Sequence, residues 1–296
     1  MEKVNKKSLY ADISMIVVAL IWGSSFVVTK NVLDHITPLY MLAFRFIIAS
    51  ALLILIFFKK VKKTKRDDLT AGFIIGIFLF LAFLAQTVGI EYTTAGKNAF
   101  ITASNVVIVP FLYWLTSRKK PNIYEVIGAI LCFVGIGVLS LDANLTMGLG
   151  DLLTLIGGFF YACHIVSVGY YSKKHDPILL TIFQFSVTAI LSLIFALIFE
   201  PKVSSVTGEM IFPIVYLALF STLIGFLIQN VAQKYTSSTH AAIILSMESV
   251  FGNIFSIIFL KEALSVRLFI GCLLILISVI TTETKWSFLR KEIAEK

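Results

Sequence analysis

Apolar residues run in ten long stretches along the 296-residue chain, separated by polar joints of about a dozen residues or fewer. Each stretch approaches the roughly 20 apolar residues that a helix needs to cross a hydrocarbon core about 30 Å thick. The pattern predicts spans over 12–33, 37–58, 69–90, 95–116 and 122–141, and again over 150–170, 177–199, 211–232, 240–260 and 265–282. Polar positions inside the stretches keep helical spacing. In span 4, Asn98, Thr102 and Asn105 stand at i, i+4 and i+7; in span 1, Trp22, Ser25 and Thr29 stand at i, i+3 and i+7. The expected fold is therefore an all-α integral membrane protein whose helices turn sparse polar stripes inward.

The second five spans repeat the first five. A shift of 139 residues places Asp12 on Asp151, Trp22 on Tyr161, Pro38 on Pro177, Phe44 on Phe183 and Phe46 on Phe185. A shift of 143 places Gln86 on Gln229, Tyr92 on Tyr235, Thr93 on Thr236, Ala99 on Ala242 and Gly128 on Gly271. The reading divides the chain into a five-helix repeat over 1–141, a second over 150–282 and a cytoplasmic tail over 283–296. Five is odd, so the second copy is expected to thread the membrane in the opposite sense, giving two inverted repeats around a central cavity and a protein that opens to each side in turn.

Charge orients this arrangement. The joint after span 2 carries Lys59, Lys60, Lys62, Lys63, Lys65 and Arg66, whereas its counterpart after span 7 carries Lys202 alone. Because short cytoplasmic loops collect Lys and Arg, both termini are expected in the cytoplasm, with only Lys97, Lys202, Lys261 and Arg267 outside. The formal net charge of +8 then reflects contact with anionic inner-leaflet lipid; no basic patch interleaved with aromatics points to nucleic acid. Span 1 follows Lys3, Lys6 and Lys7, but it is too long for a secretory leader and is interrupted by Trp22 and Lys30.

With 58% hydrophobic and 14% charged residues, no joint is long enough to form a soluble catalytic domain. Cys132, Cys163 and Cys272 lack metal or redox spacing and read as packing residues, so neither a metal nor a cofactor is expected. Gly148 to Asp151 spell GxGD, the setting of an intramembrane protease aspartate. That chemistry needs a second aspartate at depth, and the others lie at loops or helix ends. Asp151 aligns with Asp12 at a helix start, so capping is the preferred role. No HExxH, GxSxG or phosphate-binding glycine loop occurs, and the chain is not read as an enzyme.

Ionisable residues in hydrocarbon cost a few kcal/mol and usually face a cavity or a partner. The 143-residue shift carries Asn98, Thr102 and Asn105 onto Ala241, Leu245 and Glu248, which makes Glu248 the first functional candidate, against a protonated acid bonded to a neighbouring helix. Trp22 and Tyr161 occupy equivalent positions and suit a sandwich around an apolar or cationic substrate, against plain core packing. Ser25 pairs with His164, which reads as a satisfied polar residue in preference to a proton relay. Gln86 and Gln229, with Tyr92 and Tyr235, are gate candidates, against interhelical hydrogen bonding. Arg45, whose copy is Gln184, is assigned a structural role in preference to contact with a substrate carboxylate. Lys30 and Lys97 are read as snorkelling to water. Spans 5 and 10, nearly free of polar side chains, are expected to buttress the bundle.

The segment Ile21 to Val27 (IWGSSFV), Pro38 with Phe44-Arg45-Phe46, Asn105 to Pro110, Met247-Glu248-Ser249-Val250 and Leu260-Lys261-Glu262 together resemble the EamA-type members of the drug/metabolite transporter superfamily across the whole chain. The resemblance implies ten helices around a central cavity, with the fifth helix of each copy at the bundle edge or at a homodimer contact. It also implies transport of small metabolites, often export of amino acids, with Trp22, Asn105, Tyr161 and Glu248 in the cavity. Two departures stand out: Ser117 to Lys120 (SRKK) replaces the acidic turn kept by Glu262, and Ser249 stands where proline is common. The expected function is a secondary transporter of the cell membrane, its partners a small-molecule substrate and lipid. An organic-cation carrier is the alternative, and a non-transporting membrane scaffold is the rival of another class.

Overall fold

A computed structural model describes residues 6–118, 120–140, 146–203, 207–235, 238–263 and 265–284. The expected tail from residue 285 on, Thr236 of the repeat and Lys119 of the basic turn lie outside them. The described backbone is helical: α1 (Lys6–Val32), α2 (Pro38–Ile56), the short α3 (Phe58–Val61), α4 (Arg66–Glu91), α5 (Ala95–Thr102), α6 (Asn105–Ser117), α7 (Ile123–Ser140), α8 (Leu149–Tyr171), α9 (Pro177–Phe199), α10 (Gly208–Tyr216), a π-helical segment (Leu217–Ile224), α11 (Gly225–Ala232), α12 (Ser238–Leu260) and α13 (Val266–Thr284). Among the described residues, seven helical stretches are long and apolar enough to cross a membrane: 10–32, 38–56, 66–91, 95–117, 149–171, 177–199 and 208–232. Shorter apolar stretches lie in α7, α12 and α13.

Helix ends follow the local chemistry. Pro38 and Pro177 begin α2 and α9, where a missing N–H leaves no hydrogen bond unmade. Asp67 and Asp68 occupy the first turn of α4, and the Asp68 carboxylate accepts the backbone N–H of Lys65 at 2.9 Å.

Two spans read as single helices are interrupted. Span 4 breaks at Ala103 and Ser104, where bonds tighten to the three-residue pattern, nearly two turns before Pro110, which has no N–H to continue the ladder. Span 8 widens into the π-helical segment between α10, which contains Pro213, and α11. Apolar periodicity does not register either break, because each changes the helix winding inside a stretch that stays long and apolar enough to cross a membrane.

The packing exchanges the two halves. α1 lies on α12 as α8 lies on α5 and α6; the π-helical segment lies on α2 as α4 lies on α9; α2 packs on α9 and α7 on α13. Equivalent helices meet with opposite ends together. The Glu200 carboxylate, just after α9, accepts the backbone N–H groups of Leu39 (2.9 Å) and Tyr40 (3.1 Å) and the Thr37 hydroxyl (2.6 Å) at the start of α2. At the other end Lys60 pairs with Asp176, which precedes α9, at 2.6 Å. Arg267 at the start of α13 likewise donates to the carbonyl of Val138 near the end of α7. α2 therefore runs antiparallel to α9, and α7 to α13.

Three polar residues differ from the sequence reading. Asp12 lies inside α1, which begins at Lys6, and so does not start a helix. Asp151 is in the first turn of α8, but its carboxylate also binds the Thr93 hydroxyl (2.6 Å) and pairs with Lys97 (3.4 Å), so Lys97 does not simply reach for water. Lys30 donates to the carbonyls of Ile90 (2.6 Å) and Glu91 (3.3 Å) at the C-terminal end of α4 and of Thr93 (2.9 Å) just after it, so it ties off that end and does not simply reach for water.

Candidate functional site

Where the halves meet, the bundle holds a partly open hollow of about 490 Å³ of space between atoms, open solvent included. α1 contributes Trp22, Ser25 and Phe26, α2 Arg45, and α4 Phe83 and Gln86; α6 adds Asn105 just past the break in span 4. From the second half come Tyr161, His164 and Ile165 of α8, Ser221 of the π-helical segment, Phe226 and Gln229 of α11, and Leu245 and Glu248 of α12. Among the described residues, α7 and α13 contribute nothing to this lining. A narrower extension shares Ser25, Phe26, Arg45, Phe83 and Gln86 and continues past Thr29, Thr87, Ile90 and Asn98 toward the end that Lys30 ties off.

Aromatic rings set the shape. Phe226 is the hub, with ring centres 4.7 Å from Trp22, 5.8 Å from Phe83, 5.7 Å from His164 and 5.9 Å from Phe185. Tyr161 meets Phe83 edge-on at 5.5 Å. The Trp22 indole N–H donates to the Ser221 carbonyl at 2.8 Å, so the tryptophan is pinned to the π-helical segment, and Gly225 leaves the space for its ring. A Cβ at position 225 would stand 2.5 Å from Trp22 Nε1.

Polar groups divide into those with protein partners and those without. Tyr161 donates to Gln86 Oε1 (2.8 Å), whose Nε2 donates to the Thr102 hydroxyl (3.0 Å); Asn98 donates to the Thr154 hydroxyl (2.7 Å) and the Gln86 carbonyl (3.2 Å). His164 Nε2 bonds Gln184 Oε1 at 2.7 Å. In contrast, Asn105 Oδ1, His164 Nδ1 and Gln229 Oε1 are enclosed without a partner. Glu248 is 8% exposed and makes no hydrogen bond or ion pair with any described residue. Buried polar atoms are nearly always satisfied, so these acceptors are available to donors of whatever occupies the hollow, water included.

Of the residues singled out from sequence, Trp22, Ser25, Asn105, Tyr161, His164 and Glu248 line the hollow together. Thr102 does not; its hydroxyl is taken by Gln86. Asn98 lies on the extension. Gln86 and Gln229, assigned to gates, lie in the cavity wall, while Tyr92 and Tyr235 sit on the outside, 61% and 46% exposed. Arg45 also lines the cavity, where it is held by side chains of the π-helical segment. Phe83, Ser221 and Phe226 were not singled out. Ser221-Thr222 are adjacent hydroxyls in an apolar run and were a usable signal, but the two rings were not distinguishable among 26 phenylalanines.

The EamA-like transporter family model matches the chain twice, over residues 9–141 and 148–284. An uncharacterized transporter of Archaeoglobus fulgidus is 38% identical over 274 residues, covering 93% of this chain and 86% of the relative. The uncharacterized transporter YoaV of Bacillus subtilis is 23% identical over 271 residues, covering 89% and 93%. A solved crystal structure superposes with a TM-score of 0.71 at 17% identity, covering 93% of this chain and 98% of its own, which places the fold among known ones.

Proposed function

The chain belongs to the EamA-like transporter family, and from that premise we propose a secondary transporter that exports small metabolites, amino acids or related compounds foremost, by alternating access. Ten helices form two inverted halves, 1–141 and 150–282, in the cell membrane with both termini in the cytoplasm. The antiparallel pairing of α2 with α9 and of α7 with α13 supports the inversion. The basic joint around Lys59 to Arg66 supports the orientation.

The observation that carries the functional reading is the unpartnered Glu248 carboxylate, facing a hollow lined by Trp22 and Tyr161 together with the unmet acceptors of Asn105, His164 and Gln229. In this reading the rings stack on the substrate, Asn105 accepts a hydrogen bond from it, and Glu248 meets its ammonium or exchanges a proton. Flux into proteoliposomes tests it. Glu248→Gln is expected to reduce flux at least about tenfold, the effect of losing roughly 1.4 kcal/mol of binding, at equal incorporation. Unchanged flux with unchanged pH dependence removes Glu248 from the site.

A second reading, transport of organic cations, is favoured by the same carboxylate among aromatic rings. Competition by quaternary amines against zwitterions separates the two. A scaffold without transport predicts no flux of any compound and no ligand-induced stabilisation.

A further inference from the structure

Arg45 is 3% exposed at the cavity wall, and no carboxylate pairs with it among the described residues. Two hydroxyls of the π-helical segment hold it: Nε donates to Thr222 Oγ1, and Nη2 donates to Ser221 Oγ at 2.9 Å. Its plane is further fixed over the Phe83 ring, 4.6 Å from the centre. A guanidinium has five N–H donors, and Nη1 makes no hydrogen bond to a described residue. The head group is thus immobilised by neutral partners and left without a counter-anion in a setting where an unpaired cation is costly.

Glu248 presents the complementary situation on α12. Both residues line one hollow, neither is paired, and they are not paired with each other. A simple organic cation would satisfy Glu248 while adding positive charge near Arg45. A phosphate dianion would do the reverse. A carboxylate and an ammonium on one small molecule match both poles without net charge.

Resting on the transport reading above, we infer that Arg45 determines specificity in this cavity: it takes the substrate's carboxylate while Glu248 takes its ammonium, and Ser221 and Thr222 set the guanidinium's angle. The π-helical winding contributes by placing two consecutive hydroxyls toward one side chain and the Ser221 carbonyl toward Trp22.

Thermal-shift titrations of the full-length purified protein test this with three matched ligands: an apolar α-amino acid, the acid lacking its amine and the amine lacking its carboxylate. The wild-type protein is expected to bind the amino acid at least tenfold more tightly than either truncated analogue. Arg45→Gln should erase the advantage over the amine and keep the advantage over the acid; Glu248→Gln should do the opposite. Arg45→Lys, which keeps the charge without the fork, should fall between. If Arg45→Gln weakens all three ligands equally, or if the wild-type protein binds the amine or the acid as tightly as the amino acid, the inference is overturned. Should the arginine variants not fold, the wild-type ranking decides alone. Wild-type liposome flux of a wider metabolite panel separates the failures: flux with the wrong ranking overturns Arg45's role only, and no flux of anything overturns transport itself.

Discussion

Trp22 is useful to a binding site only if its ring is held, and two small features hold it. The Ser221 carbonyl accepts its N–H, and the absent side chain at Gly225 leaves the ring its space. Gly225→Ala should displace the indole and lose a hydrogen bond worth about 1 kcal/mol, hence roughly fivefold in flux. In protein with Trp114 and Trp286 replaced by phenylalanine, the Trp22 emission should shift in parallel. Gly208→Ala, where an added Cβ meets nothing within 4 Å, should leave both readouts unchanged. An unchanged spectrum in Gly225→Ala would contradict the packing described. At this scale the repeat made Trp22, Tyr161 and Glu248 visible, since each stands out chemically from its apolar surroundings. Arg45 was equally visible as a residue but not as a cavity group: depth in the span is compatible with either snorkelling or facing inward, and only the position of Ser221 and Thr222 decides.

Helices α2 and α5 begin under carboxylates supplied by the other half. Glu200 takes the first N–H groups of α2, and Glu262 takes those of Ala95 (2.8 Å) and Gly96 (3.1 Å) at the start of α5. Each joins a fixed negative charge to the positive end of a helix, worth about 0.3 to 2 kcal/mol. Glu262→Gln should therefore lower the melting temperature by a few degrees. Glu209→Gln, which removes an exposed partner of His35 at 3.5 Å, should produce no measurable change. Equal effects of the two substitutions would argue against capping by Glu262. Helix existence was legible from apolar runs and the prolines at 38 and 177. The break at Ala103 and the π-helical winding were not, although both place cavity residues: Asn105 follows the first, and Ser221 lies within the second.

At the scale of the whole molecule, the wall of one hollow comes from both halves, and α7 and α13, among the helices that take no part in it, pair with each other. A cavity so placed is useful for transport only if it becomes accessible from each side of the membrane in turn. The central claim is most directly tested by single cysteines at Ser25 and Asn105, in protein whose Cys132, Cys163 and Cys272 are replaced by alanine, probed with a membrane-impermeant thiol reagent in oriented vesicles. Labelling from both faces, reduced by a transported substrate, is the predicted result. Labelling from one face only, or from neither, under every condition would contradict the account.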